Sequence, residues 1–168
     1  SHYRKLHELH SRVRRSRAGG GGGPASADTP LASRQAVDVA ILSLLLRYNA
    51  MSGGTKDGSG GGMQGALNGA LFDVLHRRLG CNFECFASPL NCRYGSFCSA
   101  FPDVDGPFGS MGSFFDLKIE EGSYQANPPF VANIVEAMAE RMNLLLARSV
   151  QQSGGDGAKE KSSKAATK

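Results

Sequence analysis

The chain has 168 residues, 40% of them hydrophobic and 20% charged, with a net charge of +4 and 22 glycines. That length suits one domain, but glycine-, serine- and lysine-rich stretches shorten the part able to bury a core. The longest apolar run, around Ala40 to Leu46, is broken by Ser43; a membrane span needs ~20 such residues, and no export-signal pattern precedes it.

The charge is unevenly placed. Ser1 to Arg17 holds six Arg and Lys against one Glu, with three of the four histidines, whereas Leu31 to Ser149 holds nine basic against eleven acidic residues. The basicity therefore belongs to the flanks. Residues 1–18 read as a basic segment, helical with Leu6, Leu9 and Val13 on one face. Such a segment is either a solvated helix or a contact for RNA phosphates.

Residues 19–28 open with five glycines and read as a linker. A second helix starts at Thr29-Pro30, with Thr as cap and Pro in the first turn. Its apolar residues, from Ala36 through Leu46, surround the helix instead of striping it. That pattern predicts burial on all sides. Residues 53–62 are a Gly-rich insertion with no Gly-Lys pair, so they make no phosphate cradle.

A third helix lies in "MQGALNGALFDVLHRRLG", where Leu67, Ala70, Leu71, Val74, Leu75 and Leu79 recur at helical spacing and Gly80 supplies a left-handed stop. Strands are predicted over Asn82 to Ala87 and Ser96 to Phe101, with Phe114 to Ile119 as a further strand or hairpin arm. Tyr124 to Ala126 leads into Asn127-Pro128-Pro129-Phe130, and a last helix begins near Val131. Residues 150–168, rich in Gln, Ser, Gly, Ala and Lys, are predicted to form a disordered tail. The four cysteines, at C-x3-C-x6-C-x5-C spacing, do not match paired zinc ligands and read as buried or free thiols; no metal site is predicted.

This order of helices and strands is that of an α/β domain, in which ligands bind beyond the carboxyl ends of the strands. Both the Ala87 to Asn91 loop and the Asn127 to Phe130 loop fall at strand ends. Asn127-Pro128 has two readings. It can simply start the last helix, with Phe130 packed into the core. Alternatively, an Asn oxygen and an adjacent carbonyl accept both hydrogens of an adenine amino group and turn its lone pair toward a methyl donor. Prolines would stiffen that loop, and Phe130 would stack on the base.

The run "FECFASPLNCRYGSFCSAFPDVDGPFGSMGSFFDL" followed by "GSYQANPPF" resembles the catalytic domain of the phosphorylated CTD-interacting factor family, and the likeness extends into "LLLRYNA" and "GMQGAL". The resemblance implies a partial Rossmann-like, S-adenosylmethionine-dependent methyltransferase domain over residues 29–149, in a nuclear protein. Its reaction would be N6-methylation of the 2'-O-methyladenosine beside the mRNA cap. Asn127, Pro128, Pro129 and Phe130 would be catalytic, holding the amine and stacking the base. Phe86, Ala87, Ser88, Pro89 and Asn91 would line the cofactor crevice, with Asp103 or Asp105 on the cofactor's ribose. Capped mRNA is the implied partner, and the family's phosphorylated RNA polymerase II tail a further one, though through a WW module that this tryptophan-free sequence does not show. Arg47 and Asn49 lie in the matching stretch with pocket lining as their one role, and a buried Arg47 paired with an acid is the alternative reading. Ala132 stands where the family carries an acidic residue, which motivates an alternative: a non-catalytic remnant of the same fold that binds RNA or transcription machinery.

Overall fold

A computed structural model describes residues 2–18, 30–51, 65, 67–119 and 121–165. The predicted linker at 19–28 and insertion at 53–62 lie outside the described residues. Among those described, no helix is long and apolar enough to cross a membrane.

In chain order the elements are α1 (His2–Ala18), α2 (Pro30–Met51), α3 (Gly69–Leu79), β1 (Phe83–Glu84), β2 (Ser96–Phe97), α4 (Pro102–Asp105), a 3-10 turn (Gly106–Phe108), β3 (Tyr124–Gln125) and α5 (Ala132–Ala165). The strands form one parallel sheet in the order β2-β1-β3. Phe83 lies opposite both Ser96 and Tyr124, and Glu84 opposite both Phe97 and Gln125.

Hydrophobic clusters lie on both faces of this sheet. On one, Leu6 and Leu9 of α1 meet Val37, Ile41 and Leu44 of α2, together with Cys92, Phe97 and Phe108. On the other, Phe83, Cys85, Cys98 and Phe114 are buried, with Tyr124 and Met138 of α5 against them. The alternation of Phe97 with Cys98 follows from strand geometry, which sends successive side chains to opposite faces.

Several sequence expectations change here. The basic segment does not stand apart: Leu6 is fully buried, so α1 shares the core of α2. Nor is α2 buried all round. Val37, Ile41 and Leu44, three or four residues apart, face inward, whereas Val39, Leu42, Leu45 and Leu46 are exposed. One packed face is all that α1 and the sheet cover.

Phe114–Asp116 is a turn, not a strand. The Ser113 carbonyl accepts from Asp116 N and Leu117 N, both at 3.1 Å, which folds the chain back on itself. The strip parallel to β2 lies earlier, at Ser110. The predicted strands also shorten to two residues each. Beyond Glu84 the chain turns away through Ser88, whose carbonyl accepts from Asn91 N and Cys92 N.

At the C-terminus, residues predicted to be a disordered tail continue α5 as far as Ala165. It does so through Gly154, Gly155 and Gly157, whose helix propensity is low; extending an existing helix requires no second nucleation. The third helix starts at Gly69, later than predicted, because Asn68 caps it: its side chain accepts from Leu71 N. Gly80 ends it with φ +66°, as predicted.

Candidate functional site at the carboxyl edge of the sheet

Because β1 and β3 are adjacent and parallel, the segments that follow them leave from the same edge. The first is the turn at Phe86 to Asn91, the second the loop at Asn127 to Phe130. Sequence separation is about forty residues, yet the register makes them neighbours.

The first turn is held by four independent devices. Asn91 Oδ1 accepts from Ser88 N at 2.7 Å and from Ser88 Oγ at 3.0 Å. Pro89 is buried. Lys5 Nζ, reaching from α1, donates to the carbonyls of Leu90 (3.1 Å) and Cys92 (2.8 Å). Glu84 Oε1 accepts from Arg93 N (2.7 Å) and Tyr94 N (2.8 Å), anchoring the chain where it leaves the turn. A turn so constrained needs little reorganisation to receive a ligand.

The second loop is not the start of a helix. The helix begins at Ala132, five residues beyond Asn127, so Asn127 does not cap it and Pro128 is not in its first turn. Pro128 is buried. Val131 N donates to Pro129 O at 2.7 Å, and Ile134 N and Val135 N donate to Val131 O. Asn127 Nδ2 donates to Gly65 O at 2.6 Å, which orients the amide. Phe130 is 63% exposed, its ring beside Gly65; it does not pack into the core.

Two cavities join the loops. One of about 300 Å³ is lined by Phe86, Ala87, Ser88 and Asn91 of the turn, by Pro129 of the loop, by Tyr48 and Met51 of α2, and by Ser99, Ser113 and Phe115. A smaller one of about 80 Å³ is lined by Asn127, Gln125, Glu84, Phe86 and Asn91. Phe86 and Asn91 line both, so they form the partition between them. The ring of Phe86 also packs at 5.1 Å from Phe114 and 6.0 Å from Phe115, an aromatic wall for a flat ligand.

A family model described as the phosphorylated CTD interacting factor 1 WW domain matches residues 5–154. The chain belongs to this family. Two curated relatives are each called "mRNA (2'-O-methyladenosine-N(6)-)-methyltransferase". The Mus musculus protein is 48% identical over 112 residues, 66% of this chain and 16% of that protein. The Homo sapiens protein is 49% identical over 110 residues, 65% of this chain and 15% of that protein. The chain thus matches only about a sixth of the length of these relatives. In this family member the described residues within the match form the helices and parallel sheet given above, and the sequence contains no tryptophan.

The residues singled out in the factor-family motif separate into two groups. Phe86, Ala87, Ser88 and Asn91 share one cavity with Pro129, and Asn127 faces the adjoining one. Pro89, Pro128, Phe130 and the two aspartates line neither. Asp103 is at the surface, 2.9 Å from Arg47, an exposed pair where a buried one was an option. Asp105 is fully buried and accepts from Tyr48 Oη at 2.7 Å. Both acids lie on the short helix α4 after β2, and Asp105 touches the larger cavity through Tyr48, which lines it.

Four contributors escaped the sequence reading. Tyr48 and Phe115 lie within "LLLRYNA" and "GSFFDL", runs that carry the resemblance but assign them no role, and Gly65 meets Asn127 from 62 residues away. Glu84 was visible inside "FECFASPLN" as a carboxylate within a strand otherwise apolar. Burial raises its pKa, and the Tyr94 and Arg93 amides oppose that rise.

Proposed function

We propose that this chain carries part of the methyl-transfer site of a cap-specific adenosine N6-methyltransferase, on a Rossmann-like framework, acting on mRNA in the nucleus. The observation that carries this reading is the pair of cavities divided by Phe86, one toward Asn127 and one toward the Phe86–Asn91 turn. The larger cavity fits the donor, S-adenosylmethionine, in chemistry: aromatic walls from Phe86 and Phe115, hydroxyls from Ser88, Ser99 and Ser113, and a volume at the low end for ligand pockets. The donor supplies a methyl group on a cationic sulfur.

The chain's own residues do the positioning. Asn127 lines the smaller cavity with Nδ2 donating to Gly65 O, and on this reading its side-chain oxygen accepts from an adenine amine bound there. Pro128 and Pro129 hold that loop rigid. Phe130, exposed beside it, offers a ring face for the base. Alignment of amine and methyl, with acceptors fixed in advance, is the source of acceleration.

Methylation of capped RNA beginning with 2'-O-methyladenosine tests the proposal, read by methyl incorporation. Asn127→Ala should lower the rate about 100- to 1000-fold while leaving donor binding intact. Unchanged turnover in that variant removes the reading. Ala132, exposed at the start of α5 where the resemblance implies an acid, favours a second reading: a non-catalytic remnant of the fold. It predicts capped-RNA binding with no methyl transfer by the wild-type chain. Association with the phosphorylated polymerase tail, carried in the family's name, is proposed as a partner of the complete protein.

A further inference from the structure

Glu84 lies in the wall of the smaller cavity and is 4% exposed. The parallel register sets it opposite Gln125 on β3, and Asn127 follows two residues further along. All three side chains line that cavity. The two oxygens of Glu84 are placed differently. Oε1 accepts from Arg93 N at 2.7 Å and Tyr94 N at 2.8 Å. Oε2 has no hydrogen-bond partner among the described residues, and the orphaned polar atoms sealed from solvent are Asp105 Oδ1 and Arg141 Nε, not this one. It therefore borders open space, and the cavity is the space that Glu84 lines. An unpaired carboxylate oxygen in so buried a residue calls for a donor.

The other described groups around the cavity cannot take a proton there. Leu67, Phe72 and Phe86 are apolar, and Asn91, Gln125 and Asn127 are amides. At about 80 Å³ the space is far below the ~300 Å³ at which whole ligands are enclosed, so it admits the amino edge of a base and leaves the rest outside.

We infer that Glu84 Oε2 accepts a hydrogen bond from the adenine amino group held at Asn127 and takes one of its protons when the nitrogen is methylated. This role rests on the function proposed above. As the nitrogen bonds the methyl carbon, the carbon–sulfur bond breaks and its electron pair stays on sulfur. The nitrogen then carries the methyl group, two hydrogens and a positive charge. One proton passes to Oε2, leaving a neutral methylamino group and a neutral carboxyl, which releases the proton to water. Burial raises the proton affinity of Glu84, which suits it to act as a base near neutral pH. The charged or titratable groups around it are Lys5 of α1, Cys92, Arg93 and Tyr94. Lys5 is tied to two carbonyls and Arg93 to Asp73 of α3. Burial raises Cys92 and Tyr94, so neither titrates in the weakly acidic range.

Carbon-13 NMR of the Glu84 carboxyl in the full 168-residue chain, assigned by its loss in Glu84→Gln, tests the contact without the methyl donor. Capped RNA beginning with 2'-O-methyladenosine should lower the proton affinity of this carboxyl about tenfold, because a donor favours the charged form. A matched RNA whose first base is purine, without the amino group, should not. Fluorescence anisotropy reports binding of both. If both bind and act alike on Glu84, the inference falls and the Asn127 reading stands; if neither binds, both fall. In single-turnover methylation the wild-type rate should rise with pH as Glu84 ionises. Glu84→Gln keeps an oxygen for the two amides, yet should be about 100-fold slower and lack that rise. Asn127→Ala should be slow but keep it. Wild-type turnover in Glu84→Gln overturns the proton-accepting role.

Discussion

Glu84 is only 4% exposed, yet it carries a carboxylate. Its Oε1 accepts two backbone amides, and burial still outweighs them, leaving its pKa above the usual glutamate range. The native state therefore binds a proton more tightly than the unfolded chain does. Stability from this group is fully present below the unfolded pKa and declines as pH rises through the folded one. Glu84→Gln keeps an acceptor oxygen and removes the titration. The stability of wild type relative to this variant should thus fall with rising pH through the weakly acidic range, as measured by urea denaturation at several pH values. A flat difference would assign the burial effect elsewhere.

Tyr48 and Asp105 form the other buried polar contact near the candidate site. Asp105 Oδ1 has no hydrogen-bond partner, so its Oδ2 contact with Tyr48 matters more. Burial pushes both pKa values up, Asp105 in spite of the tyrosine hydrogen bond. Tyr48→Phe should destabilise the chain by about 1–3 kcal/mol at neutral pH. The loss should shrink on acidification, as Asp105 takes up its proton; a denaturation series from neutral to mildly acid pH checks both statements. Nothing in "PDVDG" could reveal this contact, since the partner lies 57 positions earlier. A strand-end aspartate looks the same in sequence whether it faces a ligand or a buried tyrosine.

At the scale of elements, local chemistry explains which boundaries were readable. Gly80 was, because a left-handed residue after a periodic run has few other meanings. A Cβ there would meet nothing within 4 Å, so Gly80→Ala tests backbone strain alone. The variant should lose about 1–2 kcal/mol, read from the denaturant midpoint with unchanged m-value. The Asn127 loop was readable as a motif, but whether it capped a helix was not. Pro128 fits a first helical turn as well as it fits a rigid loop, and only the hydrogen bonds at Val131 distinguish the two. The strand predicted at Phe114 failed for a similar reason. Its β-favouring aromatics were outweighed by Ser113, whose carbonyl and hydroxyl both gather amides into a turn.

At the scale of the whole molecule, the decisive surprise is α1. Six basic residues among its first 17 positions made it read as a flank, while two leucines, Leu6 and Leu9, set it into the core. Lys5 then ties the same helix to the candidate ligand turn. Two apolar positions amid so much charge carry little weight in a pattern, but burial counts them fully. Leu6→Ala should cost about 2–5 kcal/mol, and it should loosen the turn at Leu90 as well. Thermal unfolding, combined with hydrogen exchange at Cys92, checks both parts.

The central position of β1 has a bearing on how the molecule is made. Both of its neighbours come later in the chain, with β3 some forty residues downstream. During synthesis the middle strand emerges with neither flank in place. Cys85 and Cys98 pack with its Phe83, Cys92 lies in the opposite cluster, and all four thiols are sealed in the finished protein, with Cys85 pushed up to about 12 and Cys98 to about 11 by burial. They would be reactive on the ribosome and inert afterwards. Alkylation of Cys85 by a maleimide probe therefore offers a clock for maturation, stopping when the Phe83 cluster that Tyr124 joins has closed.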